Sequence, residues 1–283
     1  MRMTTTTRYR RSKMEILNLE TEIFNLLSTE YPMTQRQLFY RLVSNGTIEK
    51  KESEYNAVIE RTKQMRLSQR IPFYYITDST RWTLKPDTYS SLTKMLKNQQ
   101  RLYRRSLWDD QPEYIEVWTE KDAISSVLYT ETEKYDIGLH VTRGYASLTY
   151  LMNAAATIKR IGKPTTIYFF GDRDPSGVDI QRNVEKRLRE FAPKAHIDFV
   201  LVAVTERQIV DFKLLTRPTK QTDSRAKTFF GESVEVDAIP PLTLRALAKQ
   251  CIEKHLDFHQ LKLTQQIEDE EKDVIDDIIK NYS

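Results

Sequence analysis

The chain has 283 residues, 39% apolar and 30% charged, a balance typical of a globular protein with room for one large domain or two ordinary ones. Its single cysteine, Cys251, excludes an intrachain disulfide framework and a cysteine-rich zinc site. No apolar run reaches the roughly 18 residues that a membrane span requires, and no signal-peptide core follows the start. We therefore expect a cytoplasmic protein without a membrane partner.

The net charge of +4 is distributed unevenly along the chain. Residues 1–13 carry five cations and no acid, whereas residues 266–283 carry seven acids and two lysines. A basic end is typical of contact with a polyanion such as nucleic acid, although a solvated tail has the same composition. We interpret residues 1–13 as a basic flexible tail and the acidic end as a solvated helix or an interaction arm.

Residues 14–86 are predicted to form a small helical domain with a β-wing. The predicted elements are three helices, within 12–30, 31–46 and 53–70, and a hairpin within 71–84. Thr34 is placed to cap the second helix, and Gly46 follows its end. Three helices followed by a hairpin is the order of a winged helix-turn-helix domain, a DNA-binding fold.

Residues 87–112 read as a basic helix that fades into a polar linker, and from Glu113 the sequence alternates between strands and helices. The four predicted strands are "EYIEVWTE", "LHVTRG", "TTIYFFGD" and "IDFVLVAVT". Such alternation favours an α/β fold with a parallel sheet and helices on both faces. Residues 216–283 are predicted to be a loop followed by helices.

Acidic side chains follow two of the predicted strands. Glu120 ends the first, and Asp172 and Asp174 end the third. Carboxyl ends of parallel strands meet at one edge of a sheet, and residues two apart on an extended chain point to the same side. Three convergent carboxylates favour a bound cation, and oxygen ligands suit Mg²⁺. A simpler interpretation is that Asp174 caps a helix that begins at Pro175.

The motifs "EVWTEKDA" and "YFFGDRDPSGVDI" resemble the Toprim domain of topoisomerases, bacterial primases and OLD-type nucleases. "VTRGYAS" is similar to the second strand and glycine turn of that family. The resemblance covers roughly residues 113–215 and implies that Glu120, Asp172 and Asp174 bind Mg²⁺. The form "GDxDPxG" is closer to the A subunit of topoisomerase VI and to its meiotic relative, the double-strand-break transesterase.

That resemblance directs attention to "TQRQLFYRLV" in the predicted winged-helix domain. In the A subunits a catalytic tyrosine stands four residues after an arginine, which implies Tyr40 and Arg36 here. Helical spacing places both side chains one turn apart and away from an apolar stripe that begins at Leu38. A nearby guanidinium favours the phenolate and can bind a phosphate. The simpler alternative is that Tyr40 only packs against another element.

The resemblance implies that Tyr40 attacks a DNA phosphorus and leaves a phosphotyrosyl link. In the related subunits the tyrosine of one protomer meets the acids of the other, which implies a homodimer on double-stranded DNA, associated with the nucleoid. The expected contacts to DNA phosphates are Arg61, Lys63, Arg66, Arg70, Lys94, Lys97, Arg101, Arg104 and Arg105.

The chain departs from a usual A subunit in two ways. It is shorter, and it has no glycine-rich nucleotide loop, so strand passage would need a separate ATPase subunit. Its ending, which includes "VEVDAI", resembles that of compact stand-alone relatives carried on mobile elements. Within it, Lys220, Asp223 and Arg225 either approach the site or lie in a surface loop. Two other functions remain open: a Toprim nuclease that uses metal-activated water, and a non-catalytic DNA-binding protein.

Overall fold

The computed structural model describes residues 11–77, 85–218 and 229–281. Within these ranges the chain forms ten α-helices and four β-strands. The helices are α1 (Lys13–Glu30), α2 (Gln35–Ser44), α3 (Glu52–Leu67), α4 (Leu92–Leu102), α5 (Ser125–Thr132), α6 (Leu148–Ile161), α7 (Pro175–Phe191), α8 (Glu206–Asp211), α9 (Pro241–Glu253) and α10 (Phe258–Asn281). The strands are β1 (Tyr114–Thr119), β2 (Gly138–Val141), β3 (Thr165–Phe170) and β4 (Ile197–Ala203).

The four strands form one parallel sheet in the order β2-β1-β3-β4. The chain moves from β1 outward to β2 and then crosses back to place β3 on the other side of β1. The strand order therefore reverses between β1 and β3. In open α/β sheets, this reversal creates a crevice at the carboxyl ends of the two strands.

Helices cover both faces of the sheet, as the alternation of strands and helices predicts. On β1, Ile115 and Val117 point into a core that includes side chains of α5 and α9. Trp118 points the other way, into a core shared with α6 and α7. Successive side chains of a strand alternate between faces, so a sheet buried on both sides needs apolar residues at nearly every position. The prediction of an α/β fold with a parallel sheet and helices on both faces is confirmed.

The helix α2 begins and ends where the sequence predicts. The Thr34 hydroxyl accepts a hydrogen bond from the Gln37 backbone N–H, and the Gln37 side chain accepts one from the Thr34 N–H, which completes a capping box. Gly46 follows with φ of +72°, a conformation that favours glycine. The helix packs against a 3₁₀ turn, Val236–Ala238, which lies beside the sheet.

The predicted wing is not a hairpin in the part that is described. Phe73–Tyr75 form a 3₁₀ turn where a strand was predicted, and a single β-bridge joins Met33 to Ile76. The remainder of the predicted hairpin, 78–84, lies outside the described residues. So do residues 1–10 of the basic tail and the segment that holds Lys220, Asp223 and Arg225.

Candidate functional site

The structure brings Glu120 and Asp172 together at the crevice between β1 and β3. The Asp172 backbone N–H donates to Glu120 Oε1 at 3.0 Å. Glu120 is 8% exposed, and its Oε2 is buried without a hydrogen-bond partner. Burial, followed by the charge of Asp172, raises the pKa of Glu120 to about 7. A buried carboxylate oxygen without a partner is the kind of atom that a bound cation would satisfy.

Asp174 is held differently from the other two acids. Its Oδ1 accepts from the Gly177 backbone N–H at 2.8 Å, so it caps α7, and Pro175 occupies the first helical position. Its Oδ2 accepts from Arg217 at 3.1 Å. The helix-cap interpretation therefore holds for Asp174, although its charge also contributes to the raised pKa of Glu120.

Two glycines allow the close packing at this edge. A Cβ on Gly177 would lie 2.2 Å from the carbonyl oxygen of Asp172. A Cβ on Gly171 would lie 2.6 Å from the ring of Phe169 and 3.5 Å from the carboxyl carbon of Glu120. Only glycine fits at such distances, so both positions fix how near α7 and the end of β3 come to the acids.

Sequence reasoning missed three residues whose charges surround Asp172: Lys121, Glu235 and Asp237. The Lys121 ammonium lies 2.9 Å from Glu235, 2.9 Å from Asp237 and 3.4 Å from Asp172. The Val236 backbone N–H, between the two acids, donates to Asp172 Oδ1 at 2.8 Å. Burial alone would lower the pKa of Lys121, but the surrounding carboxylates outweigh burial and raise it. "VEVDAI" was noticed only as part of a family-like ending.

The structure also brings the predicted Arg36–Tyr40 pair to this cluster. Arg36 Nη2 lies 2.5 Å from Glu235 Oε2, and its Nε lies 3.1 Å from Asp237 Oδ2. These ion pairs join α2 to the segment that flanks Asp172, within one chain. Glu235 also accepts from Arg217 at 2.7 Å, and the pKa of Glu235 is lowered because Lys121, with Arg36 and Arg217 next, outweighs the effect of its burial.

The expected position of the Tyr40 side chain is wrong. The side chain does not lie away from the apolar stripe, because it is 4% exposed and belongs to the core cluster that contains Leu38. Burial, with the charges of Glu235 and Asp237 next, nevertheless raises the pKa of Tyr40 to about 12. Arg36 acts in the predicted direction but is outweighed.

The residues present fit Mg²⁺ at Glu120 and Asp172. In the described ranges, no group of three or more histidine, cysteine, aspartate or glutamate side chains has the geometry of a metal site. The Lys121 ammonium lies between Asp172 and the two acids of the "VEVDAI" segment. Asp174 is engaged as well, because its Oδ1 accepts a hydrogen bond from the Gly177 N–H at the start of α7. Mg²⁺ needs only one or two protein carboxylates, since waters and phosphates complete its shell.

The cations predicted to contact DNA on and just after α3 are mostly paired within the protein. Arg61 and Arg70 lie 3.8 and 2.8 Å from carboxylate oxygens of Glu20. Lys63 lies beside a glutamate one turn earlier, and Arg66 stacks over an aromatic ring of the following 3₁₀ turn. Lys63 is more exposed than Arg61 or Arg70, with 60% of its side chain accessible.

The acidic helix α10 lies along the basic helix α4. Arg105 donates to Glu271 Oε1 at 2.7 Å and, through its backbone N–H, to Glu268 Oε2 at 2.8 Å. Tyr103 donates to Glu271 at 2.6 Å. The other predicted contacts here remain exposed: Lys94, Lys97, Arg101 and Arg104. The acidic arm therefore contacts the same chain's basic segment.

No protein-family model matches the chain, and no curated protein matches its sequence. The parallel sheet with helices on both faces is compatible with a Rossmann-like α/β fold, and the candidate site occupies the switch point of that sheet. Of the helices described, none combines the length and apolar character needed to cross a membrane.

Proposed function

We propose that the protein cleaves DNA by Mg²⁺-dependent transesterification with Tyr40 as the nucleophile, in the manner of the topoisomerase VI A subunit. In this proposal α1–α3 belong to a winged-helix domain, and the parallel sheet is a Toprim domain. One observation carries it. The ion pairs of Arg36 with Glu235 and Asp237 hold the Tyr40 helix beside the carboxylates at the switch point. A nucleophile beside a cation-binding carboxylate site is what this reaction requires.

The reaction exchanges one phosphodiester for another. The phenolic oxygen of Tyr40 bonds to phosphorus as the bond from phosphorus to a sugar oxygen breaks. The phenol loses a proton and the departing sugar oxygen gains one, so the step consumes no nucleotide and is reversible. Arg36 presents a planar guanidinium that can bind two phosphate oxygens once DNA competes with Glu235 for it.

Glu120 and Asp172 would hold the Mg²⁺ ion, with Asp174 as a further ligand if Arg217 releases it. When bound, Mg²⁺ would neutralise charge on the phosphate and help to position it. The Lys121 ammonium holds Glu235 and Asp237 close to Asp172, and its charge is the largest of those that lower the pKa of Glu235. The ammonium is therefore placed to move toward phosphate oxygens when the ion enters.

The ion pairs of Arg36 also bear on which chain completes the site. The family resemblance implies that the tyrosine of one protomer meets the acids of the other. Here Arg36 contacts Glu235 and Asp237 within one chain. We propose that each chain supplies both halves of its own site, and that a homodimer serves to cut both strands of duplex DNA. Strand passage would still need a separate ATPase subunit.

The direct test is to incubate the protein with supercoiled DNA and Mg²⁺, stop with detergent, and measure DNA that is covalently linked to protein. We expect linked DNA from the wild type and none from Tyr40→Phe or Asp172→Ala. Tyr129→Phe is a matched control, because Tyr129 is 50% exposed on α5. A wild type that binds DNA but never cuts it, with or without Mg²⁺, would leave the non-catalytic DNA-binding function in its place.

A second function is favoured by the burial of Tyr40. A side chain that is 4% exposed, with a pKa of about 12, is a poor nucleophile as it stands. The alternative is a nuclease in which water, activated at Glu120 and Asp172, attacks the phosphorus. It predicts cleavage that survives Tyr40→Phe, is lost in Asp172→Ala, and leaves no protein on the DNA.

A further inference from the structure

A cavity of about 330 Å³ opens beside the Tyr40 phenol, between α2 and the start of α3. Its walls are formed by Arg36, Phe39, Tyr40, Lys50, Lys51, Glu52 and Tyr55. The volume is roughly ten times that of one water molecule in the liquid, enough for a phosphodiester group and some of its hydration. The cavity therefore gives a group of that size access to one side of a tyrosine that is otherwise enclosed.

Two cations approach the same phenol ring in this cavity. The Lys50 ammonium nitrogen lies 5.2 Å from the ring centroid of Tyr40, and the Arg36 guanidinium carbon lies 5.9 Å from it. Both distances are within the range of a cation–π contact. Positive charge at this position also favours development of the phenolate and attracts an anion.

Lys50 differs from Arg36 in how it meets the nearby acids. Arg36 is engaged by Glu235 and Asp237, whereas Lys50 forms no ion pair with any residue that the structure describes. Its side chain keeps exposed surface, but contact with the protein removes part of its hydration and lowers its pKa, although the charges of Glu235 and Asp237 act in the opposite direction. A partly desolvated cation without a partner gains more from an incoming anion than a fully hydrated one does.

We propose that this cavity binds the phosphodiester group that Tyr40 attacks, and that Lys50 is the residue that anchors it. This inference rests on the proposed function. Lys50 binds a non-bridging phosphate oxygen and stabilises the negative charge of both the phenolate and the phosphorus centre. It donates no proton in the step, so its contribution is electrostatic and positional.

The test compares Lys50→Met, which removes the charge but keeps most of the stem, with Lys50→Arg, which restores a cation. The control is Lys249→Met, since Lys249 is 51% exposed on α9 and pairs there with Glu253. Single-turnover formation of the protein–DNA link is measured against DNA concentration. We expect Lys50→Met to slow the saturated rate about 100-fold. Its salt slope for duplex DNA binding should fall by only about 0.9, the effect of one phosphate contact.

Lys50→Arg should recover at least a tenth of the wild-type rate, and Lys249→Met should match the wild type. Equal unfolding midpoints for all variants exclude a folding defect. If the wild type forms the link and Lys50→Met forms it equally fast, Lys50 is not the anchor, while the tyrosine chemistry stands.

A second readout does not depend on cleavage. Acetic anhydride labels exposed amines, and the label on each lysine is quantified by mass spectrometry with and without inorganic phosphate. Phosphate should protect Lys50 and leave Lys249 unprotected. If the wild type makes no protein–DNA link, the proposed function fails, but selective protection of Lys50 still supports an anion site. Equal labelling of Lys50 with and without phosphate would overturn that site.

Discussion

Replacing Glu120 with glutamine separates the metal site from the fold. Glu120 is buried, and its pKa is raised to about 7 from an ordinary value of 4.5. Folded and unfolded protein both carry the protonated carboxyl below about pH 4.5, so stability from this group is greatest there. As the pH rises from about 4.5 to 7, the unfolded chain loses its proton more readily than the folded protein, and the free energy of unfolding falls.

The size of this effect follows from the raised pKa. Each tenfold change in proton affinity is worth about 1.4 kcal/mol, so the ionised Glu120 costs the folded protein about 3 kcal/mol at pH 8. Glutamine keeps an oxygen to accept from the Asp172 N–H and carries no charge. We therefore expect Glu120→Gln to raise the free energy of unfolding at pH 8 by up to about 3 kcal/mol in the absence of metal.

Mg²⁺ should raise the free energy of unfolding of the wild type and change that of Glu120→Gln little. In the wild type, an ion that binds Glu120 and Asp172 relieves the buried charge, and a concentration at ten times its dissociation constant adds about 1.4 kcal/mol. In Glu120→Gln this gain should largely disappear. Denaturant unfolding between pH 4 and 9, with and without millimolar Mg²⁺, measures both effects.

Glu116→Gln is the matched control for this experiment. Glu116 lies on β1, which ends just before Glu120; it is fully buried, and burial raises its pKa to about 7. Its carboxylate accepts a hydrogen bond from Trp118 Nε1, whereas that of Glu120 accepts from the Asp172 backbone N–H. It should gain stability at pH 8 as Glu120→Gln does and keep the wild-type response to Mg²⁺. Equal Mg²⁺ responses in the two variants would show that Glu120 is not a ligand. No gain for Glu120→Gln at pH 8 would refute the argument from burial.

Three further predictions address the architecture of the site. Gly177→Ala places a methyl group 2.2 Å from the Asp172 carbonyl oxygen. We therefore expect the free energy of unfolding to fall by about 2–3 kcal/mol and cleavage to be lost. An unchanged midpoint of thermal unfolding would contradict this contact. Heterodimers that pair a Tyr40→Phe chain with an Asp172→Ala chain, purified through two different tags, should remain inactive because each chain completes its own site. If such heterodimers form the protein–DNA link, the tyrosine and the acids of one site come from different chains. Glu271→Gln should strengthen binding to duplex DNA, most at low salt, by uncovering Arg105, which follows α4. Asp269→Asn removes the same charge from an exposed position on the same helix and should strengthen binding less; equal gains would assign the effect to net charge alone.

Local patterns in the sequence predicted a large part of the fold. The capping box at Thr34 and the glycine after α2 are local signals, because a helix end must satisfy its own backbone groups. The alternation of strands and helices predicted a parallel sheet, and the ends of β1 and β3 then placed Glu120 beside Asp172. That inference succeeded because the carboxyl ends of neighbouring parallel strands lie at one edge.

The sequence could not show what surrounds those acids. Lys121 forms ion pairs with Glu235 and Asp237, which are distant from it in the chain. Helical spacing likewise gave no sign that Tyr40 would be buried. The periodicity of a helix identifies which side chains share a face but not which element packs there. The sequence was enough to predict the four strands, the helices between them, their order and the acids at the switch point, but not the conformation of Phe73–Tyr75. The charged residues around those acids could be found only in the tertiary structure. They depend on contacts between distant segments, and the sequence pattern of one segment carries no information about the other.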